Sequence, residues 1–294
     1  MKGREQMARV ESVQGNYIYL EVQGIEYRVY FERNGKGIPL ICQHTAGAEG
    51  RQWRHLLNDG DILSRYQVIV PDLPYHGKSL PPEKVEWWKE EYRLTKSFLI
   101  DFHVALSQVL GLKKPVYLGC SMGGSLAVDL AMECPDEFRA VIGLEAGLSI
   151  SKSMAQMAPA LDWRDHPRIG NRCTATRMFG HTSPFAPEAF RREISWIYYQ
   201  GAPSIHKGDL AYHFVEHNLS NSQVRQIDTS RIPVYFMTGD YDWGNAPEDT
   251  MRLVEHIKGA QFTEMKGLGH FPMSEDYRVF RGYLMPILNE IAAT

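Results

Sequence analysis

The sequence predicts an α/β protein: a doubly wound, mostly parallel sheet interrupted by an inserted helical lid. Short apolar runs alternate with longer amphipathic segments along most of the chain, and this alternation is typical of a parallel sheet covered on both faces. About 80 residues, 151–231, lack this alternation and carry predicted helices instead. We therefore assign residues 1–150 and 232–294 to the core and residues 151–231 to the lid.

Eight segments are predicted as strands. The first two alternate in polarity, as antiparallel edge strands do. They are Tyr17–Val22 and Glu26–Phe31. The other six are Pro39–Cys42, Gln67–Val70, Val116–Leu118, Val141–Leu144, Val234–Met237 and Gln261–Met265.

Helical spacing of apolar residues and flanking glycine or proline predict the helices. In the core these are Phe98–Val109, Ser125–Cys134, one opened by Pro247, and a last helix carrying Tyr277 to Ile291. In the lid they are Pro187–Tyr199 and Leu210–His217.

Composition argues against several classes of protein. The net charge of −3 gives no electrostatic reason to expect nucleic acid. The first ten residues lack the apolar run of a signal peptide, and no stretch approaches the roughly 18 apolar residues of a membrane span. The four cysteines form no CxxC pair. They are Cys42, Cys120, Cys134 and Cys173. We predict a cytoplasmic protein with reduced thiols that binds neither nucleic acid nor membrane.

The segment Gly119-Cys120-Ser121-Met122-Gly123 places a serine between two glycines, after a predicted strand and before a predicted helix. This is the setting of a nucleophile elbow, in which a sharp turn exposes the serine hydroxyl. Only very small residues fit two positions before and after such a serine. Ser121 is therefore the candidate nucleophile.

A serine hydroxyl needs a base, and the base needs an orienting acid. His270 follows the last predicted strand, and Asp242 ends the loop after the strand before it. The order Ser121, Asp242, His270 is the order expected for this architecture. Glu145 and Asp240 are alternative candidates for the acid.

An oxyanion hole would complete the catalytic site. We predict that the backbone amides of Met122 and Ala46 donate to the oxyanion, Ala46 lying in the loop after Pro39–Cys42. The predicted substrate pocket contains His44, Thr45, Tyr198, Tyr199 and Phe271. His44 has an alternative role, which is to organise its loop by hydrogen bonds. Tyr198 and Tyr199 have another, which is to pack the lid against the core.

A competing motif lies in the lid. His213-Phe214-Val215-Glu216-His217 fits an H-x-x-E-H zinc pattern. Catalytic zinc needs a third protein ligand, which the following residues do not supply. We therefore predict a polar lid helix here, and neither a metal nor an organic cofactor.

Four motifs in chain order resemble the α/β-hydrolase superfamily, in its lidded branch of serine esterases, lactonases and C–C bond hydrolases. They are His44–Trp53, Asp72–Ser79, the elbow, and the loops bearing Asp242 and His270. The resemblance implies an eight-stranded α/β-hydrolase fold, a Ser-His-Asp triad and an acyl-enzyme.

The sequence departs from the family pattern at four positions. Thr45 and Tyr75 stand where the family commonly has glycine. Cys120 and Phe271 stand where hydrolases of ring-fission products often carry asparagine and tryptophan, which disfavours C–C bond hydrolysis. The nucleophilic serine, in place of aspartate, disfavours epoxide hydrolase and haloalkane dehalogenase chemistry.

The predicted function is hydrolysis of a small or medium carboxylic ester or lactone. The lid carries ten Lys and Arg against seven Asp and Glu, which favours an anionic small-molecule substrate. The alternatives are a serine-dependent C–C bond hydrolase and a non-catalytic small-molecule binding scaffold. A homodimer is left open.

Overall fold

A computed structural model describes residues 10–149, 166 and 168–294. The first part of the predicted lid, residues 151–165, therefore lies outside the described residues, as do the first nine residues. None of the helices in the described part is long and apolar enough to cross a bilayer.

The core is an eight-stranded sheet with the order β1-β2-β4-β3-β5-β6-β7-β8. β2 pairs antiparallel with both β1 and β4, and all other neighbours are parallel. The strands are β1 Gln14–Val22, β2 Ile25–Gly35, β3 Ile38–Gln43, β4 Tyr66–Pro71, β5 Val116–Cys120, β6 Ala140–Leu144, β7 Val234–Gly239 and β8 Gln261–Met265. The predicted doubly wound, mostly parallel sheet is confirmed.

Ten α-helices are found in the described residues. They are α1 Gly60–Leu63, α2 Lys96–Val109, α3 Met122–Glu133, α4 Gly170–Gly180, α5 Glu188–Gln200, α6 Pro203–Ala211, α7 Asn221–Val224, α8 Pro247–Val254, α9 Pro272–Glu275 and α10 Tyr277–Ala293. Residues 168–231, with helices α4 to α7, lie between β6 and β7; we call them the inserted segment.

The central strands are buried on both faces because alternate side chains enter two different cores. Val116 and Leu118 pack in the core that includes α10, whereas Tyr117 between them packs in the core that includes α2 and α3. This explains why the strands read as continuous apolar runs in the sequence.

Two helix boundaries differ from the prediction. The helix predicted to begin at Ser125 begins at Met122, because Gly123 and Gly124 serve close packing and do not break the helix. The helix predicted at Leu210–His217 is α6, opened by Pro203 and followed by a π-helical turn at Tyr212–Glu216. Proline suits the first turn of a helix, where its missing N–H costs nothing.

The tightest contact between a helix and the sheet lies at the start of α3. A Cβ on Gly124 would collide with the backbone carbonyl oxygen of Leu144, at the end of β6. Both groups belong to the main chain, so neither can move aside as a flexible side chain would. Gly124 therefore sets how closely α3 approaches β6.

We predict that Gly124→Ala destabilises the protein by about 3 kcal/mol or more, the upper range for overpacking a rigid core. Gly282→Ala in α10 is the matched control, since a Cβ there meets no atom within 4 Å. It should stabilise by about 0.5–1 kcal/mol through helix propensity. Urea denaturation measures both; equal midpoints for the two variants would contradict the prediction.

Candidate active site

Ser121 lies at the sharp turn between β5 and α3. Its φ of 57° and ψ of −109° are unusual for a residue with a side chain, and strain of this kind concentrates at functional sites. Its amide donates to the carbonyl of Leu144 at 2.9 Å, and its carbonyl accepts from the amide of Ser125 at 2.8 Å. Main-chain bonds on both sides therefore fix the turn.

The glycines around Ser121 leave room for this turn. A Cβ on Gly119 would collide with the carbonyl of Gly123, and a Cβ on Gly123 would lie 3.1 Å from the backbone of Gln43. The elbow pattern in the sequence predicts a need for glycine at these two positions but not at the tighter one, Gly124.

His270 and Asp242 are brought together. His270 Nδ1 lies 2.7 Å from Asp242 Oδ2, and the Asp242 side chain is fully buried. Asp242 Oδ1 accepts the amide of Gly244 at 2.8 Å. Burial opposes ionisation of Asp242, but the charge and hydrogen bond of His270 outweigh it and hold the Asp242 pKa below its ordinary value.

The His270 loop lies against the elbow. The thiol of Cys120, the residue before Ser121, donates to the carbonyl of His270 at 3.3 Å. The sulfur is buried, and burial raises the pKa of this thiol well above its usual range. Cys120 is therefore a neutral donor that joins the strand end to the loop.

Of the two alternative acids, Glu145 lies behind Asp242. Its carboxyl accepts the amide of Gly239 at 3.1 Å. Burial and then the negative charge of Asp242 raise the Glu145 pKa well above its usual range, and the two carboxyls share a hydrogen bond. The raised pKa favours the neutral form of Glu145, which can donate to the Asp242 carboxylate.

Asp240, the other alternative acid, is directed elsewhere. Its Oδ1 accepts the amide of Gly267 at 2.7 Å, and its Oδ2 lies 3.8 Å from Lys266 Nζ. The acid that contacts His270 is Asp242.

The predicted oxyanion loop, residues 43–47, is tightly built. His44 Nδ1 donates to the carbonyl of Thr45 at 2.9 Å, and Nε2 accepts the amide of Leu73 at 3.2 Å. Burial lowers the pKa of His44 well below its ordinary value. His44 is thus a neutral group that organises its loop by hydrogen bonds.

The two predicted oxyanion donors are the backbone amides of Ala46 and Met122, and they lack an internal acceptor in the described part of the chain for different reasons. No acceptor within the described residues engages the amide of Ala46, which is 5% exposed. Met122 is the first residue of α3, where amides lack an acceptor inside the helix. Helix N-termini of this kind also favour negative charge.

The remaining predicted pocket residues separate into two groups. The Tyr198 hydroxyl lies 2.6 Å from Thr45 Oγ1, and its ring centroid lies 6.0 Å from that of the buried Phe271. Tyr199 is 45% exposed, because adjacent helical residues point about 100° apart. The structure brings Thr45, Tyr198 and Phe271 together and leaves Tyr199 outside the group.

Two further polar residues, which the sequence pattern did not predict, lie near His270. His181, in the inserted segment, accepts the amide of His270 through its carbonyl at 3.0 Å, and its ring stacks on Trp243 with centroids 3.8 Å apart. Glu275 accepts the amides of Gly269 and Ser183. No local pattern distinguishes His181 among eleven histidines, or Glu275 among other acids.

Potential metal ligands also meet here. One ligand atom from each of His181, Asp242 and His270 lies within 4.8 Å of the others. Because the bond between Asp242 and His270 already uses two of these groups, a metal ion would have to disrupt it.

The H-x-x-E-H motif is used differently. His217 Nδ1 lies 3.0 Å from Asp129 Oδ2, and its Nε2 lies 2.9 Å from the carbonyl of Gly147. Both ring nitrogens therefore serve internal bonds, and the π-helical turn replaces the regular helix that the motif requires.

Comparisons with known proteins agree with this fold. A family model described as the alpha/beta hydrolase fold matches residues 38–172. The 30 kDa subunit of magnesium chelatase from Rhodobacter capsulatus is 30% identical over 128 residues, 40% of this chain and 38% of the relative. The (R)-3-hydroxydecanoyl-ACP:CoA transacylase of Ectopseudomonas oleovorans is 22% identical over 92% of each chain.

Among solved structures, a thermophilic esterase from Thermogutta terrifontis has a TM-score of 0.76 at 20% identity. The match covers 94% of this chain and 99% of that one. Residues 38–172 therefore match the α/β-hydrolase fold model, and the whole chain has the fold of this esterase, as the sequence resemblance predicted.

The raised pKa of Glu275 predicts how the stability of the protein depends on pH. Burial raises its pKa to about 7 in the folded protein, whereas an exposed glutamate has a pKa of about 4.3. Between these values the unfolded chain loses a proton that the folded chain keeps. This group therefore lowers the unfolding free energy as pH rises, by about 4 kcal/mol in total.

Glu275→Gln removes the titrating group. The unfolding free energy of the wild type, relative to the variant, should fall between pH 4.5 and pH 7.5 and then level off. Urea denaturation at a series of pH values measures this difference; a difference independent of pH would contradict the assignment.

Proposed function

We propose that the protein is a serine hydrolase that cleaves a small or medium carboxylic ester or lactone through an acyl-enzyme. The observation that carries the proposal is the 2.7 Å contact of the buried Asp242 with His270 Nδ1, at the sheet edge where the strained Ser121 lies. An imidazole oriented by a buried carboxylate and placed beside a serine elbow is the arrangement that activates a hydroxyl.

The proposed reaction has two steps. His270 Nε2 takes the proton of Ser121 Oγ while the oxygen attacks the substrate carbonyl carbon. The oxyanion accepts hydrogen bonds from the amides of Met122 and Ala46. His270 then gives its proton to the leaving alkoxide oxygen as the C–O bond breaks. Water, deprotonated by His270, then attacks the acyl carbon. The bond from this carbon to Ser121 Oγ breaks, and His270 returns the proton to Oγ as the acid leaves.

Asp242 has two roles in this scheme. Its hydrogen bond keeps the His270 proton on Nδ1, so that Nε2 is free to act as the base. Its charge stabilises the imidazolium that forms when Ser121 attacks. Glu145 supports both roles, because a protonated carboxyl donates to Asp242 without adding a second negative charge.

The substrate class is supported less directly. The similar Thermogutta protein is an esterase, and the excess of basic residues in 151–231 favours an anionic ester or lactone. Acyl transfer to a thiol in place of water would use the same acyl-enzyme, and an assay with and without an added thiol separates the two. No step of the proposed mechanism requires a metal or an organic cofactor.

We predict that a fluorophosphonate labels the protein at one residue, Ser121, and that Ser121→Ala abolishes the adduct. Intact-mass and peptide mass spectrometry measure this. Ser125→Ala, in the same glycine-rich segment, is the matched control and should label normally. An adduct at another residue would contradict the proposal, and absence of labelling combined with tight small-molecule binding would support a non-catalytic scaffold.

We predict that Asp242→Asn lowers kcat for p-nitrophenyl butyrate by about 10³- to 10⁴-fold, because the variant favours the wrong imidazole tautomer. Glu145→Gln should retain kcat within about tenfold, since an amide replaces a carboxyl that is already neutral. The two substitutions are chemically matched, and steady-state kinetics at pH 8 compares them. The reverse order of losses would assign the acid to Glu145.

A further inference from the structure

The inserted segment contacts the oxyanion loop on both sides of Ala46. On one side, the Tyr198 hydroxyl of α5 lies 2.6 Å from Thr45 Oγ1. On the other side, the amide of Gly47 donates to Asp209 Oδ2 of α6 at 2.6 Å. The residue whose amide is left for an oxyanion is therefore flanked by two contacts from outside the core.

Asp209 is a buried carboxylate with three donors. Besides the amide of Gly47, its Oδ2 accepts from His76 Nε2 at 2.8 Å, and its Oδ1 accepts from the Tyr92 hydroxyl at 2.8 Å. The side chain is fully buried. Three donors from three core segments fix its position and orientation.

His76 supplies the compensating charge. Its Nδ1 lies 2.9 Å from the carbonyl of Pro74 while its Nε2 faces Asp209. Both neighbours only accept hydrogen bonds, so both ring nitrogens carry protons. Burial opposes this charge, but Asp209 outweighs it and raises the His76 pKa. Asp209 Oδ2 therefore contacts a buried histidine as well as the amide of Gly47.

Main-chain packing reinforces these bonds. Gly47 has a φ of +70°, and a Cβ there would lie 2.7 Å from the Cβ of His206 in α6. A Cβ on Gly201 would lie 3.2 Å from the carbonyl oxygen of Gly47. Because the inserted segment approaches this closely, the loop cannot shift while the segment stays in place.

We propose that Asp209 and Tyr198 are positioning residues that hold the Ala46 amide in the geometry of the oxyanion hole, so that the inserted segment completes the catalytic site. The inference rests on the proposed serine hydrolase function. Donors to an oxyanion act through preorganised geometry, and small displacements cost large factors in rate.

This assignment also explains a departure from the family pattern. Thr45 stands where the family commonly has glycine. Its hydroxyl accepts a hydrogen bond from Gln52 Nε2 at 3.0 Å and shares another with the Tyr198 hydroxyl. The threonine is therefore the attachment point for Tyr198, a contact that glycine could not make.

The test compares Asp209→Asn and Tyr198→Phe with Asp129→Asn. Asp129 is the matched control: a buried carboxylate in α3 that binds a histidine, His217, at 3.0 Å and a tyrosine, Tyr212, but not the oxyanion loop. The probe substrate is p-nitrophenyl butyrate. The second probe is an alkyl trifluoromethyl ketone, which forms an oxyanionic adduct with a reactive serine.

We expect Asp209→Asn to lower kcat by about 10- to 100-fold and Tyr198→Phe by about tenfold, with KM changed by less than about threefold. Affinity for the ketone should fall in parallel with kcat/KM. Asp129→Asn should lower the unfolding midpoint but keep kcat within about threefold.

Unchanged kcat in Asp209→Asn and Tyr198→Phe would overturn the inference, and so would an equal loss of kcat in Asp129→Asn. If Asp209→Asn does not fold, Tyr198→Phe alone decides. Failure of the inference is distinct from failure of the proposed function: only in the latter case does the wild type neither hydrolyse the ester nor take up fluorophosphonate at Ser121.

Discussion

The close approach of the α3 main chain to the end of β6 is the constraint on which the site depends. With glycine at 124, α3 begins directly against Leu144, and the amide of Ser121 can bond the same carbonyl that a Cβ would strike. This contact forces the sharp turn at Ser121 and exposes its side chain at the carboxyl ends of the strands. It also places the N-terminus of α3 beside the hydroxyl.

Around this turn the protein buries three carboxyl groups, and their pKa values shift in different directions. Glu145 and Glu275 have raised pKa values because burial penalises the charged form. Asp242 has a lowered pKa because His270 lies beside it. A second carboxylate here would raise the pKa of Asp242 and weaken its hold on His270. A protonated Glu145 can donate a hydrogen bond to Asp242 without raising the pKa of Asp242.

Much of this organisation could be predicted from the sequence, because apolar runs mark strand ends and the ends of parallel strands meet at one edge. That logic selected Asp242 and His270, which the structure pairs, and placed Ser121 at a turn. The same logic could not find Asp209, His181 or Glu275. Asp209 and His181 contact residues far away in the chain, and Glu275 joins the nearby Gly269 to the remote Ser183. No local pattern marks a buried polar group whose partner comes from another segment.

Two buried contacts between a histidine and a carboxyl group join the inserted segment to the core. Asp209 of the segment binds His76 of the core, whereas His217 of the segment binds Asp129 of the core. If the segment moved away, each buried group would lose its partner, and an unpaired buried polar group costs about 1–3 kcal/mol. Both pairs therefore contribute to the stability of the docked segment. Only the first pair also contacts the oxyanion loop, through Gly47, so Asp209 alone links the docking of the segment to the geometry of the site.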